Sequence, residues 1–106
     1  MKLVRTYDGS TVVLARSVID HVVRKHSEVL SLLNLDKQGF VKLLHIALKE
    51  PNEAYTDAYQ SKYFLKKLNN LYLNVVVSEG TVKTAYLISW KTYSKMRKKR
   101  WLQRLC

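Results

Sequence analysis

The sequence contains very little cysteine, proline or glycine, with one Cys, one Pro and three Gly among 106 residues. The lone cysteine, Cys106, excludes a disulfide within the chain and a multi-cysteine metal site, and it is typical of a reducing cytosol. The scarcity of glycine and proline argues against long structureless linkers, and the three separated glycines form no phosphate-binding loop. No apolar run approaches the roughly 18 residues that a membrane span requires.

Acidic residues are also scarce, with 8 Asp and Glu against 19 Lys and Arg, which gives a net charge of +11. Residues 1–53 carry 8 basic and 6 acidic side chains, whereas residues 54–106 carry 11 basic and 2 acidic side chains. This asymmetry predicts a polyanionic partner, most often nucleic acid, with an anionic membrane surface or a merely solvated face as alternatives. Trp90, Tyr93 and Trp101 are interleaved with the last cations and could stack on bases, which favours nucleic acid.

The length and composition predict a single folded domain, 1–106, because 47% of the residues are hydrophobic and domains cluster near about 100–150 residues. The N-terminal segment reaches an Asp8-Gly9 turn without a long apolar stretch, so we expect no signal peptide and a cytoplasmic location.

Turn and periodicity signals predict a hairpin over 4–14 and then two helices. Ser17 is the expected cap of a helix over 18–26 that continues toward 33, with Ile19, Val22, Val23 and His26 on one face. A second helix is expected over 37–49, and Pro51 ends it. Its buried stripe is Phe40, Leu43, Leu44, Ala47 and Leu48.

Strand-type sequence follows, with predicted strands over 55–59, 62–67, 71–77 and 81–89, and a basic helix over 91–105. Strict alternation in the last strand would place Val82, Thr84, Tyr86 and Ile88 on one face. The predicted class is α+β, with an N-terminal hairpin and two helices (17–50) packed on one face of an antiparallel meander of three to four strands (54–89).

Few residue types remain for chemistry. His21 and His26 are five positions apart and would not share a helical face, acidic residues do not repeat at metal-ligand spacing, and paired carboxylates are missing, so we expect no metal or other cofactor. Histidine, cations and hydroxyl groups suit metal-free RNA cleavage, in which the substrate supplies its own 2′-OH nucleophile.

Three short segments could carry this chemistry, and each has a plainer interpretation. From spacing alone, Arg24-Lys25-His26 is more simply a half-buried histidine at a helix C-terminus beside two solvated cations. Thr84 and Tyr86 could be ordinary strand residues whose hydroxyl groups find local partners. The segment 62–67 could be an edge strand that its lysines protect from aggregation.

Together, the basic helix end at His26, the Glu50-Pro51 helix stop, the Lys- and Tyr-rich strand and the Thr84-Ala85-Tyr86 strand resemble the barnase–EndoU–colicin–RelE nuclease superfamily. The resemblance extends over 21–89, and it is to small phage- and plasmid-associated members and to the tRNase domain of colicin D. The chain departs from the pattern in its Ser89-Trp90 pair, its C-terminal basic segment and the lack of a clear second catalytic histidine.

The resemblance implies a metal-independent, toxin-like endoribonuclease that cleaves tRNA or mRNA. It implies that His26 serves in acid–base catalysis, that Lys25 and Arg24 contact phosphate, and that Thr84 and Tyr86 donate hydrogen bonds. Lys62 or Lys66 would match a further basic residue on an inner strand, with Lys62 as the expected phosphate contact. An acidic antitoxin or inhibitor would be the protein partner. The alternative is a non-catalytic protein that binds RNA or DNA through its C-terminal helix. The residues expected to bind nucleic acid are Lys66, Lys91, Lys95, Arg97, Lys98, Lys99, Arg100 and Trp101.

Overall fold

The computed structural model describes residues 2–99 and 102–105 and shows an α+β fold, as the sequence predicts. The four helices in this part of the chain are α1 (Arg16–Lys25), α2 (Glu28–Leu33), α3 (Lys37–Lys49) and α4 (Trp90–Arg97). The seven strands are β1 (Lys2–Arg5), β2 (Thr11–Leu14), β3 (Glu53–Thr56), β4 (Lys62–Leu68), β5 (Leu71–Ser78), β6 (Thr81–Ser89) and β7 (Gln103–Arg104).

All seven strands belong to one mixed sheet with the order β1-β2-β6-β5-β4-β3-β7. Strands β3 to β6 form the expected antiparallel meander. The β1–β2 hairpin joins the meander through one parallel pairing, Val13 with Thr81, and β7 pairs with the outer side of β3. The tight β5–β6 turn uses left-handed conformations at Glu79 and Gly80, which suit a two-residue hairpin.

The main core lies between one face of the sheet and the first three helices. Helix α3 packs against β1, β4 and β5, and the predicted stripe is confirmed, since Phe40, Leu44, Ala47 and Leu48 are fully buried. Leu43 packs against the edge of the same core. On the sheet side the core is built from alternate strand residues such as Phe64, Leu73 and Val75.

A second, smaller core lies on the opposite face, where α4 packs against β5 and β6. Its buried members are Tyr55, Leu65, Tyr72, Ile88 and Tyr93. The sheet is therefore covered on both faces, with the first three helices on one face and the predicted C-terminal helix, α4, on the other. Helix α4 covers the second face because the meander carries tyrosines there whose large apolar rings must be buried.

The predicted helix over 18–33 is interrupted. Helix α1 begins at Arg16, one residue before the expected cap Ser17, and it ends at Lys25. His26 leaves the helical conformation (φ −128°, ψ 46°) while its backbone N–H still donates to the carbonyl of Val22. Helix α2 then starts afresh at Glu28 after the N-cap Ser27.

Four further elements differ from the sequence prediction in their bounds. Strand β3 is Glu53–Thr56 because the carboxylate of Asp57 accepts the backbone N–H groups of Tyr59 and Ser61, both at 2.9 Å, and closes a turn there. Helix α4 covers Trp90–Arg97 rather than 91–105, since Gln103–Arg104 returns as an edge strand on β3. Strands β4 and β5 each extend one residue further than predicted.

The alternation expected in β6 is broken by a β-bulge. Val76 pairs with Thr84 but Val77 pairs with Val82, so Lys83 is an extra residue. Val82 therefore faces the main core with Ala85, whereas Tyr86 and Ile88 face the second core. The predicted common face of Val82, Thr84, Tyr86 and Ile88 is correct only from Thr84 onward.

Across the described ranges, none of the helices has the length and apolar character needed to span a bilayer.

The β1–β2 turn is held by Asp8, which gives a testable contribution to stability. Its carboxylate accepts from the Ser10 and Thr6 hydroxyl groups at 2.7 and 2.6 Å and from the Ser10 backbone N–H at 3.0 Å. These hydrogen bonds hold the pKa of Asp8 well below its usual range. We expect Asp8→Ala to lower the free energy of unfolding by about 1 kcal/mol at neutral pH, measured by urea denaturation.

Because the folded-state pKa of Asp8 is depressed, this contribution is present above the unfolded pKa of about 4 and is lost as the pH falls below it. The difference in free energy of unfolding between wild type and Asp8→Ala should therefore become smaller at acidic pH. Asp20→Ala is the control, because Asp20 forms only an exposed pair with Lys37 and should matter less. An equal loss in both variants would contradict the role given to the turn.

Candidate RNA-binding and cleavage site

The ring of His26 lies beside the rings of Tyr86 and His21. The ring centroids are 5.8 Å apart for His26 and Tyr86, and 5.9 Å apart for His21 and His26. This grouping exists because α1 packs against β6 and because His26, at the end of α1, has left the helical conformation. The prediction that His21 and His26 share no helical face applies to a continuous helix. Because α1 ends at Lys25 and His26 is no longer helical, the two rings lie side by side.

His26 is 31% exposed in its side chain and its Nδ1 lies 3.6 Å from a carboxylate oxygen of Glu28. Arg24 and Lys25, in the last turn of α1, are both exposed beside it. The three adjacent residues thus present one half-exposed imidazole and two solvent-facing cations at one end of a helix. This arrangement allows a phosphate to approach the imidazole.

Tyr86 connects this group to the middle of the sheet. The side-chain amide Nδ2 of Asn74, which pairs with Tyr86 across β5 and β6, donates to the Tyr86 hydroxyl oxygen at 3.2 Å. The Tyr86 hydroxyl accepts this hydrogen bond, so its own hydrogen can be donated elsewhere. On the same face, the buried Oγ1 of Thr84 has no hydrogen-bond partner among the described residues.

Lys62 and Lys66 lie apart from this group. By alternation along β4 they share the face of Phe64, whereas Tyr63 shares the face of Tyr86. The charge of Lys62 acts on Asp8 in the N-terminal hairpin, and the ammonium group of Lys66 donates to the carbonyl of Glu50 at 2.7 Å, at the end of α3. The structure therefore does not bring Lys62 to His26, and it places Lys66 at a helix terminus.

A cleft of about 320 Å³ opens between the second face of the sheet and α4. The sheet contributes Tyr63, Asn74 and Tyr86, and the other wall carries Lys95, Met96 and Lys99. Asn74 is 2% exposed, and its Oδ1 has no hydrogen-bond partner among the described residues. The cleft thus combines aromatic rings, one unsatisfied buried amide and two cations.

The C-terminal cations fall into two groups. Lys91, Lys95, Lys98 and Lys99 are exposed on and just after α4. Arg97 instead faces the carboxylate of Glu53, with Nε 3.7 Å from Oε1. The predicted contacts of Arg100 and Trp101 lie outside the described residues. Tyr93, considered as a base-stacking residue from sequence, is buried, whereas Trp90 is 62% exposed.

Glu53 is a buried carboxylate that fixes α4 and β7 to the sheet. The Tyr55 hydroxyl donates to Oε1 at 2.5 Å, and the Tyr93 hydroxyl donates to Oε2. Arg104 on β7 approaches Oε1 at 3.8 Å. Burial, and then the hydrogen bond to Glu53, raises the pKa of both Tyr55 and Tyr93. The ring of Tyr93 also stacks on that of Tyr72 with centroids 4.0 Å apart.

His21, Asn74 and Tyr63 are the members of this region that the sequence did not predict as site residues. A polar Asn inside the apolar run 71–77 is the one signal that could have indicated Asn74, because an amide is rarely buried without a role. Tyr63 offered no signal beyond its place in the Lys- and Tyr-rich strand. In the described ranges, no group of three or more His, Cys, Asp or Glu side chains has a geometry that could hold a metal ion.

Comparison of the chain with protein-family models, with curated proteins and with solved structures finds no match.

The Glu53 arrangement predicts late ionisation of particular tyrosines. In wild type, Tyr55 and Tyr93 should both ionise above the usual pKa of about 10, which phenolate absorbance measures during an alkaline titration. In Glu53→Gln their pKa values should fall toward that value without reaching it, because burial remains. Tyr63, whose pKa is raised to about 12 by burial and by its hydrogen bond to Asp57, is the internal control and should not move.

The raised pKa values of Tyr55 and Tyr93 also determine how the stability of the fold changes with pH. A tyrosine whose folded-state pKa is raised stabilises the fold below the unfolded pKa, and this contribution is lost as the pH rises through the folded value. Wild type should therefore lose stability above about pH 10, and Glu53→Gln should lose less there. Identical titration curves for the two proteins would contradict the anchoring role of Glu53.

Proposed function

We propose that this protein is a metal-independent endoribonuclease related to the barnase–EndoU–colicin–RelE superfamily, with RNA as its substrate and the cytoplasm as its location. The observation that carries the proposal is the contact group of His26, His21 and Tyr86, with ring centroids 5.9 and 5.8 Å apart. It joins the helix-end histidine to the Thr84-Ala85-Tyr86 strand, the two segments on which the resemblance rests. Arg24 and Lys25, the exposed cations that precede His26, support binding of a polyanion.

The proposed reaction is transesterification at a phosphodiester. Neutral His26 removes the proton of the 2′-OH, whose oxygen attacks the adjacent phosphorus, and the bond from phosphorus to the 5′-oxygen breaks. His21 protonates the departing 5′-oxygen, which supplies the second acid–base group that the sequence pattern lacked. The products are a 2′,3′-cyclic phosphate and a 5′-OH end.

Charge develops on the non-bridging phosphate oxygens during this step. Arg24 and Lys25 flank His26 and are exposed, so they are the cations that stabilise this charge. The Tyr86 hydroxyl already accepts from Asn74, which orients it to donate its own hydrogen to the phosphate. Thr84 has an unpartnered hydroxyl on the same strand and is the second donor in this scheme. Lys62 has no part in it.

We expect His26→Gln to reduce cleavage of total tRNA by about 100-fold or more, the usual contribution of general acid–base catalysis, with EDTA present throughout. His45→Gln is the matched control, because it removes an imidazole from α3, outside the contact group. Fragments should carry 2′,3′-cyclic phosphate and 5′-OH ends, and EDTA should not slow their formation. Unchanged cleavage in His26→Gln would disprove the assignment.

A second candidate function is non-catalytic binding of RNA or DNA, and the exposed lysines of α4 favour it. Lys91 and Lys95 both project from α4 into solvent. In either function, each Lys→Ala substitution at these positions should reduce the slope of log K against log salt for single-stranded RNA by about 0.7. Filter binding at several salt concentrations measures it, with His26→Gln as the background that prevents cleavage. Retention of intact RNA by the wild-type protein would select binding over cleavage.

An acidic inhibitor protein would fit the same surface. Residues 54–106 carry 11 basic and 2 acidic side chains, and a complementary acidic surface would neutralise them.

A further inference from the structure

We propose that the cleft between α4 and the sheet binds one unstacked nucleobase of single-stranded RNA, with an N–H group of the base donating to Asn74 Oδ1. This inference deepens the proposed function, on which it rests for the identity of the polymer. It assigns to Tyr63, Tyr86 and Asn74 a task separate from catalysis, which is the recognition of the base next to the bound phosphate.

The first step of the argument is the unsatisfied amide. Asn74 lies on the central strand β5 at 2% exposure, and its Nδ2 is used by the Tyr86 hydroxyl while Oδ1 has no partner among the described residues. A buried polar atom without a hydrogen bond costs about 1–3 kcal/mol, so a ligand that satisfies it gains that difference. Because Oδ1 is an acceptor, the ligand must donate.

The second step is the shape and lining of the cleft. A volume of about 320 Å³ is at the small end of ligand pockets, which fits one base and excludes a large ligand. Tyr63 and Tyr86 offer aromatic rings on the sheet side. The Tyr63 hydroxyl is held by Asp57 at 2.8 Å, so this residue presents its ring in a fixed position. Base–aromatic stacking and an edge hydrogen bond are the two means by which proteins read unpaired RNA bases.

The third step is charge. Lys95 and Lys99 line the same cleft, where they can contact the phosphate attached to the bound base. Tyr86 also lies beside His26, with ring centroids 5.8 Å apart, so a base in the cleft would bring its neighbouring phosphate toward the imidazole. An aromatic and amide interior with a cationic rim matches a nucleotide better than an uncharged apolar ligand.

A larger cleft of about 660 Å³ near the beginnings of α1 and α3 does not offer the same case. Its walls combine apolar side chains with lysines and Arg16, and none of its lining residues has a buried polar atom without a hydrogen-bond partner. The unsatisfied amide therefore distinguishes the α4 cleft.

The test uses ligands that cannot be cleaved, so that it does not depend on catalysis. Adenosine 5′-monophosphate is the first probe, because an Asn amide pairs well with the amino and ring-nitrogen edge of adenine. Ribose 5-phosphate lacks the base, and the N6,N6-dimethyl form of the nucleotide lacks the amino hydrogens. Binding is followed by NMR titration of wild-type protein, with shifts expected at Tyr63 and Tyr86.

We expect the nucleotide to bind at least about fivefold more tightly than ribose 5-phosphate, since one base–aromatic stack contributes 1 kcal/mol or more. The dimethylated nucleotide should lose most of this gain in affinity over ribose 5-phosphate. The same loss is expected for the nucleotide with the Asn74→Leu protein, in which an apolar side chain of similar size replaces the amide on β5. Lys95→Ala should weaken nucleotide binding about two- to fivefold, the scale of one exposed ion pair. Lys49→Ala is the control, because it removes an exposed lysine from α3, on the other face of the sheet, and should leave nucleotide binding unchanged.

Equal binding of the nucleotide and ribose 5-phosphate would overturn the proposal, as would equal effects of the Lys95 and Lys49 substitutions. These two lysine variants change only exposed positions, so they test the cleft even if Asn74→Leu fails to fold. His26→Gln should retain nucleotide binding. If nucleotides fail to bind while His26→Gln abolishes RNA cleavage, the nuclease stands and the base cleft does not. If nucleotides bind but no RNA is cleaved, the base cleft stands and the nuclease does not.

Discussion

The buried carboxylate of Glu53 is the interaction on which the second face of this protein depends. At 8% exposure, an unpartnered carboxylate would cost several kcal/mol, so its position requires the donors that surround it. Tyr55 comes from the same strand, but Tyr93 and Arg97 come from α4 and Arg104 comes from β7. Helix α4 has only eight residues, too few to be stable alone, so its attachment to the sheet must come from such contacts. One acidic residue thus explains why the basic end of the chain folds back onto the sheet.

This anchor also determines where a ligand can enter. Tyr93 stacks on Tyr72 and donates to Glu53, and neither tyrosine lines the cleft. The other part of that space stays open as the cleft, with Asn74 and Tyr86 on its sheet side. Burial of the Tyr93 ring removes it from the set of residues that could stack on a base. The same helix therefore contributes an anchor at one position and a cationic rim at Lys95, two residues later in the chain.

The sequence was sufficient for features that depend on local periodicity. The bounds of α3 and β6, the meander and the apolar stripe through Phe40 and Leu44 follow from spacing alone. The features that the sequence did not predict depend on interactions between distant segments. Helix α4 ends at Arg97 because the later residues pair with β3, and the bulge at Lys83 is a property of the β5–β6 pairing. His26 and Tyr86 were both predicted as site residues, but the part played by His21 depends on the non-helical conformation at His26, which spacing does not encode.

The high net charge says less about the site than the position of each cation does. Arg97 and Arg104 approach Glu53, and Lys66 donates to the end of α3, so a considerable part of the positive charge in residues 54–106 has partners within the fold. Lys95 lines the cleft, while Arg24 and Lys25 precede His26 at the end of α1. Long-range attraction of a polyanion depends on the sum of all these charges. Placing a phosphate near an imidazole depends only on the few cations at the end of α1 and along α4. Tyr86 relates these two places, because its ring contacts that of His26 and also lines the cleft to which Lys95 contributes.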